Sequence, residues 1–149
     1  RRVTLFPYTT LFRSAQDIAE KYPEKVELRI AESVPFAEYI EMMNGSDAIL
    51  DQLYSYTPSM NPLEAMARGI ICIGGGEPEN YEILHEEHLR PIINVLPNYE
   101  SVYQQLEHFI GNPQLIPELK RQGIEYISHH HDYVKVAKEY EAFYQKILA

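Results

Sequence analysis

Two short stretches of the chain combine residue types that can hold an anion or a sugar. The first is Ser59-Met60-Asn61-Pro62-Leu63-Glu64. Asparagine is a favoured helix N-cap and proline suits the first helical position, so Asn61 and Pro62 predict a helix start. Such a start offers unpaired backbone N–H groups and the positive end of the helix dipole. With Ser59 and Asn61 beside it, it suits a diphosphate. Asn61 and Glu64 also have capping-box spacing, so Glu64 reads equally as a cap partner or as an acceptor for ribose hydroxyls. The second stretch is Gly74-Gly75-Gly76-Glu77. Glycines between an apolar run and a helical pattern let backbone approach a ligand closely, but they lack the G-x-G-x-x-G spacing of a dinucleotide fingerprint. The following Glu77, Glu79 and Glu82 suit a helix N-terminus and repel phosphate. The glycines are therefore expected on the sugar side, with Glu77 accepting sugar hydroxyls. A tight turn into a well-capped helix accounts for the same residues without a ligand.

Three further features have weaker chemistry. His129-His130-His131-Asp132 invites a metal, but adjacent side chains point in different directions and lack the i, i+4 spacing of helical ligands. A polar helix junction with Asp132 as N-cap fits better, and no metal site is expected. Cys72, inside Ile70-Ile71-Cys72-Ile73, reads as a small core residue and not a nucleophile. Asp51 ends an apolar run, where it is either catalytic or a loop anchor. No residue stands out as the catalytic group.

These stretches must be positioned by the surrounding elements. Ala15–Tyr22 reads as the end of a helix stopped before Pro23. Val26–Glu32 alternates like a strand, and Phe36–Asn44 is helical with Phe36, Ile40 and Met43 on one face. The run from Ala48 to Ser55 reads as a strand, followed by a loop and a short helix, Pro62–Arg68, closed by Gly69. Ile70–Ile73 is a buried strand, the segment from Glu77 to His88 an acidic helix and Pro91–Pro97 another strand. Helical patterns follow near 99–110, 114–128 and 132–148; in the last, Tyr133, Val136, Ala137, Tyr140, Phe143, Tyr144 and Ile147 form one apolar stripe. Strands alternating with helices predict an α/β fold, a Rossmann-like parallel sheet with helices on both faces. Ligands of such sheets bind beyond the carboxyl ends of the strands, where both chemical stretches lie.

The first fourteen residues stand apart. Thr4–Ser14, "TLFPYTTLFRS", back-translates in a single frame to a common short-read sequencing adapter. Residues 1–14 are expected to be a contaminating, structurally irrelevant leader, with the natural domain covering 15–149 and truncated at its N-terminal side. Without the three leader arginines, 10 basic residues face 22 acidic ones, and the net charge falls from -9 to -12. Such a surface repels polyanions, which argues against a nucleic-acid partner. A single cysteine excludes a disulfide framework and fits a reducing, cytoplasmic compartment.

The stretch "DAILDQLYSYTPSMNPLEAMARGIICIGGGEPENYEIL" resembles the C-terminal, nucleotide-sugar-binding domain of GT-B glycosyltransferases of the family-4-like, group 1 type. Within these it is most similar to bacterial enzymes of surface-polysaccharide synthesis. The likeness runs over most of residues 15–149 and is strongest at Leu63–Ile73. The resemblance implies hexose transfer from a UDP- or GDP-linked sugar to a saccharide or lipid-linked acceptor, without a cofactor or metal. The acceptor would be held mainly by an N-terminal domain, which could also place the protein at the inner face of the plasma membrane. Such enzymes carry two glutamates separated by seven intervening residues, toward the donor sugar and the ribose. Glu64 matches the second, and Tyr56 stands where the first would be. That departure keeps open a non-catalytic binding module of the same fold, and the carboxylates of Glu77–Glu82 keep open a sugar epimerase.

Overall fold

The computed structural model describes residues 8–51, 53–55 and 57–148, with backbone alone for residues 8–11. Among the described residues, seven α-helices and three strands follow in the order α1 (Tyr8–Lys21), α2 (Phe36–Asn44), β1 (Ala48–Leu50), α3 (Met60–Ala67), β2 (Ile71–Gly74), α4 (Pro78–Ile83), β3 (Ile92–Asn94), α5 (Tyr99–Gly111), α6 (Ile116–His130) and α7 (Tyr133–Leu148), with a short 3-10 turn at Pro113–Leu115. The strands form one parallel sheet in the order β1-β2-β3, with Ile49 opposite Cys72 and Ile73 opposite Ile93. Parallel neighbours need a crossover. Here α3 and α4 supply it.

Side chains of β2 alternate between two apolar layers. Ile71 and Ile73 pack with Ile18 of α1 and Val102 and Leu106 of α5. Cys72 points the other way, into Met66 of α3, Tyr81 of α4 and Tyr126 of α6. Both faces of the strand are therefore covered, which explains its uninterrupted apolar sequence. The fold is the expected Rossmann-like α/β class.

Local signals account for most helix ends. Asn98 caps α5, its Oδ1 accepting from the Ser101 N–H at 2.9 Å. Asp132 caps α7 by accepting from the N–H groups of Val134 and Lys135. Gly69 ends α3 at a φ of 72°, a conformation that glycine adopts without steric cost. At the other end of the chain, α1 runs across the expected boundary at Ala15. Ser14 is buried, and its Oγ donates to the Tyr99 carbonyl at 3.2 Å. The segment before Tyr8 lies outside the described residues.

Three expectations need correction. Val26–Glu32 forms no strand. Its alternation is real, since Val26 and Leu28 lean on the core while Glu27 and Arg29 face solvent as an ion pair at 2.8 Å. A strand also needs a hydrogen-bonded neighbour, and among the described residues none lies beside it. The expected strand from Ala48 to Ser55 is regular only over Ala48–Leu50, because β2 supplies pairing only as far as Asp51. The acidic helix stops at Ile83, where Leu84 caps it and His85 takes a φ of 53°.

Candidate functional site

The carboxyl ends of β1, β2 and β3 bring Asp51, Gly74 and Asn94 to one edge of the sheet. The backbone N–H of Asp51 donates to the Ile73 carbonyl at 2.8 Å, which fixes where its side chain emerges. Ser59 Oγ lies 3.4 Å from Asp51 Oδ1, tying the start of α3 to the end of β1. Gly74 fits there because it has no side chain: a Cβ on it would stand 3.1 Å from the Asp51 Cβ. Gly76 is tighter still, since its Cβ would meet Ile92 at 2.9 Å. Its N–H donates to Asn94 Oδ1 at 2.9 Å, joining the glycine turn to β3.

The start of α3 differs from the expected one. Ser59, with extended backbone, is the N-cap, and Asn61 and Pro62 are the second and third helical residues. The chain enters helical conformation at Met60, so the capping position falls two residues before Asn61. The Asn61–Glu64 capping box is consequently not made. Pro62 occupies a position whose N–H would be unpaired anyway, so it costs the helix nothing. It also leaves Met60 and Asn61 as the free amides of the first turn. Pro62 is buried, while Asn61 is exposed and lines a cavity beside β1 together with Asp51 and Tyr39.

Glu64 is exposed and points away from this edge into an ion pair. Its Oε1 accepts from Arg68 Nε at 2.7 Å, and Arg68 in turn donates to Asn44 Oδ1 at 2.9 Å. Gly75 is buried, and Glu77 is the half-buried N-cap residue of α4, without a capping hydrogen bond from its side chain. The edge therefore gathers Asp51, Ser59, Asn61, Gly74, Gly75, Gly76 and Glu77, whereas Glu64 lies along α3. Sequence reasoning did not find Asn94 or Tyr39. Asn94 was legible in principle, as the polar residue that ends β3 at the same edge.

The electrostatics centre on Asp51. Burial, and then the nearby Asp51 charge, push the Cys72 thiol well above its ordinary range. Cys72 is therefore held as a neutral thiol, in agreement with its reading as a core residue. Burial and Asp51 likewise raise Tyr39. A carboxylate at this position already answers part of the positive field at the start of α3.

The histidine run forms no metal cluster among the described residues. His130 Nε2 lies 2.6 Å from Glu86 Oε2, and His131 is tucked against Tyr126 with ring centroids 5.4 Å apart. Glu86 Oε1 also accepts from the N–H groups of His88 and Leu89. These bonds, His130 first, hold Glu86 at about 2, below the usual carboxylate range near 4.5. A depressed carboxylate stabilises the fold above its unfolded value and loses that contribution as pH falls through its folded value. Glu86→Gln is therefore expected to lower the denaturation midpoint at pH 7. The gap to the parent chain should narrow below pH 4.5 and close near pH 2. A gap independent of pH would show that packing, not charge, supports this contact.

No helix among the described residues is long and apolar enough to cross a membrane. A search of curated protein sequences gave no match to the chain. A parallel sheet with both faces covered and a polar, glycine-rich carboxyl edge is the arrangement on which nucleotide ligands are held. Residues 8–142 match the family described as glycosyl transferase-like, and the chain belongs to that family.

Proposed function

We propose that this domain binds the donor of a GT-B hexosyltransferase, a UDP- or GDP-linked sugar. A second, N-terminal domain would present the saccharide or lipid-linked acceptor. The observation that carries the reading is the junction of Asp51, Ser59, Gly74 and Gly76 at the carboxyl edge, in a chain whose family transfers sugars. The diphosphate is assigned to the start of α3, where Met60 and Asn61 offer free amides and Ser59 and Asn61 offer polar side chains. Asp51 confines it to the outer side of that turn. Gly74, Gly75 and Gly76 line the sugar, and Glu77 accepts its hydroxyls. Glu64 reaches the ribose once it exchanges Arg68 for a ligand hydroxyl, an exposed ion pair of this kind being worth about 1 kcal/mol or less. The reaction needs no resident metal or cofactor in this scheme. The acidic surface keeps nucleic acid away, and the setting is a cytoplasmic one in bacterial polysaccharide synthesis, at the inner face of the membrane through the second domain.

Titration with UDP, GDP and uridine, followed through backbone amide shifts, tests the seat. The largest diphosphate-specific shifts are expected over Ser59–Ala65. Shifts centred on Glu77–Glu82, or no response at millimolar nucleotide, would move the diphosphate elsewhere. Tyr56, at the place of the family's first glutamate, supports a second reading as a non-catalytic binding module; it lies outside the described residues. The two readings part on turnover and not on binding.

A further inference from the structure

The side-chain amide of Asn94 has two ends, and the fold uses one of them. Its Oδ1 accepts from the Gly76 N–H at 2.9 Å. A backbone N–H needs an acceptor, so this bond fixes which way round the amide sits. Nδ2 is left on the other side, with two N–H groups and no hydrogen-bond partner among the described residues. The turn that holds it lies flush on β3, where a Cβ on Gly76 would meet Ile92 at 2.9 Å. Gly76 and Asn94 together line one end of a cavity of about 760 Å³ beside α4. Its other walls include Tyr81 and Glu82 of α4, and Glu87 and Arg90 of the loop that follows.

This cavity lies across the glycine turn from the start of α3. With neighbouring strands about 4.8 Å apart, β1 and β3 are separated by about 10 Å. A diphosphate seated beside β1 can therefore carry its sugar toward β3. The groups around the cavity suit a polyol: a free amide donor on Asn94, and carboxylate acceptors on Glu82 and Glu87. The cation among them is already committed. The Arg90 guanidinium lies over the Tyr81 ring, 4.3 Å from its centroid, and its Nη1 donates to the carbonyls of Glu86 and Leu89. A carboxylate entering the cavity would thus face two like charges, with no free guanidinium to answer them. We infer that Asn94 selects the donor sugar: Nδ2 donates to an oxygen of a ring substituent, that substituent enters the cavity beside α4, and neutral hexoses are accepted where sugars bearing a carboxylate are rejected. One atom of the side chain fixes the glycine turn and the next one reads the sugar, so the turn and the sugar are held in register by a single residue. The inference rests on the reading of this edge as a donor site.

The test is a titration of the 149-residue chain with UDP, GDP, UDP-glucose, UDP-galactose, UDP-N-acetylglucosamine, GDP-mannose and UDP-glucuronic acid. His85 also lines the cavity, so the titrations are run at pH 8, above the ordinary range of histidine. The NMR signals of the Asn94 side-chain amide are expected to stay in place with UDP or GDP and to move with at least one neutral nucleotide-sugar. That compound should bind more tightly than its own nucleoside diphosphate. Asn94→Ala should remove this gain, about three- to tenfold for one hydrogen bond, and leave UDP and GDP binding within about twofold of the parent chain. UDP-glucuronic acid should bind about tenfold more weakly than UDP-glucose, and the double variant Glu82→Gln, Glu87→Gln should close most of that gap. Equal losses for nucleotide and nucleotide-sugar in Asn94→Ala would make Asn94 a support for the turn alone and overturn the inference. UDP-glucuronic acid binding as well as UDP-glucose would overturn it too, and this comparison holds even where the Asn94 variant does not fold. Nucleotide bound at Ser59–Ala65 with the Asn94 amide silent to every sugar overturns the inference and leaves the donor reading standing. No nucleotide bound at millimolar concentration ends both.

Discussion

Tyr126→Ala is expected to cost about 3–5 kcal/mol, the range for removing a large aromatic side chain from a core. Tyr126 is fully buried at the centre of the layer that joins α6 to α3, α4 and β2. Its ring meets Tyr81 edge-on at a centroid distance of 6.1 Å. Its hydroxyl accepts from Asn80 Nδ2 at 3.0 Å, and Asn80 is itself buried. The alanine variant thus opens a cavity and strands a buried amide at the same time. Tyr126→Phe keeps the ring and isolates the second effect, at about 1–3 kcal/mol. Urea denaturation separates the two: both variants should lower the midpoint with an unchanged slope, alanine by clearly more. Equal losses would mean that the hydrogen bond, and not the packing, holds α6 to the sheet. The position also bears on the site, because Asn80 belongs to the α4 turn that continues from Gly76 and Glu77.

The sheet and its covering were legible where a pattern required only local chemistry. The apolar run Ile70–Ile73 read as a buried strand, and Ile71–Gly74 is one, covered on both faces; Asp132 and Gly69 mark their helix ends by side-chain or backbone conformation alone. The errors share a different cause. Val26–Glu32 has the right period for a strand, but its pairing depends on a neighbour that the pattern does not encode. Asn61 and Pro62 carry helix-start chemistry, yet the helix begins at Met60, with Ser59 as the capping residue and its Oγ 3.4 Å from Asp51 across the sheet edge. That contact joins residues eight apart through the fold of the intervening loop, and no spacing rule describes it. Asn94 was overlooked although its polar type at the end of β3 was a signal, because the strand was expected to run on to Pro97. Its role is to accept from the Gly76 amide, a contact between different loops. Residue identity pointed to the carboxyl edge as a candidate site, and tertiary contacts decided which of its residues meet.

The 149-residue chain is expected to release no nucleoside diphosphate from any UDP- or GDP-sugar at a steady rate, even where nucleotide binds. Holding donor and acceptor in a near-attack geometry supplies about 7–11 kcal/mol of barrier lowering, and the proposed seat at the carboxyl edge would serve the donor alone. Asp51, the carboxylate at the centre of the edge, lies against Ser59 and beside Gly74, which suits fixing the α3 turn better than taking a proton from an acceptor. The departing diphosphate also needs cationic or amide stabilisation beyond two free N–H groups. The basic side chain nearest in sequence, Arg68, is engaged with Glu64 and Asn44. Under the proposed two-domain reading, joining the chain to an acceptor-binding domain should give turnover. In that protein Glu64→Ala should raise KM more than it lowers kcat, since a ribose contact is made equally in the ground and transition states. Arg68→Ala should leave kcat near its parent value, because the Arg68 contacts are with Glu64 and Asn44, on the far end of α3 from the proposed diphosphate seat. The assay is diphosphate release over a panel of donors, with and without the added domain. Steady turnover by the 149-residue chain would place acceptor chemistry within this domain. Silence from the two-domain protein on every donor, with nucleotide still binding at Ser59–Ala65, would favour the proposed alternative, a non-catalytic binding module.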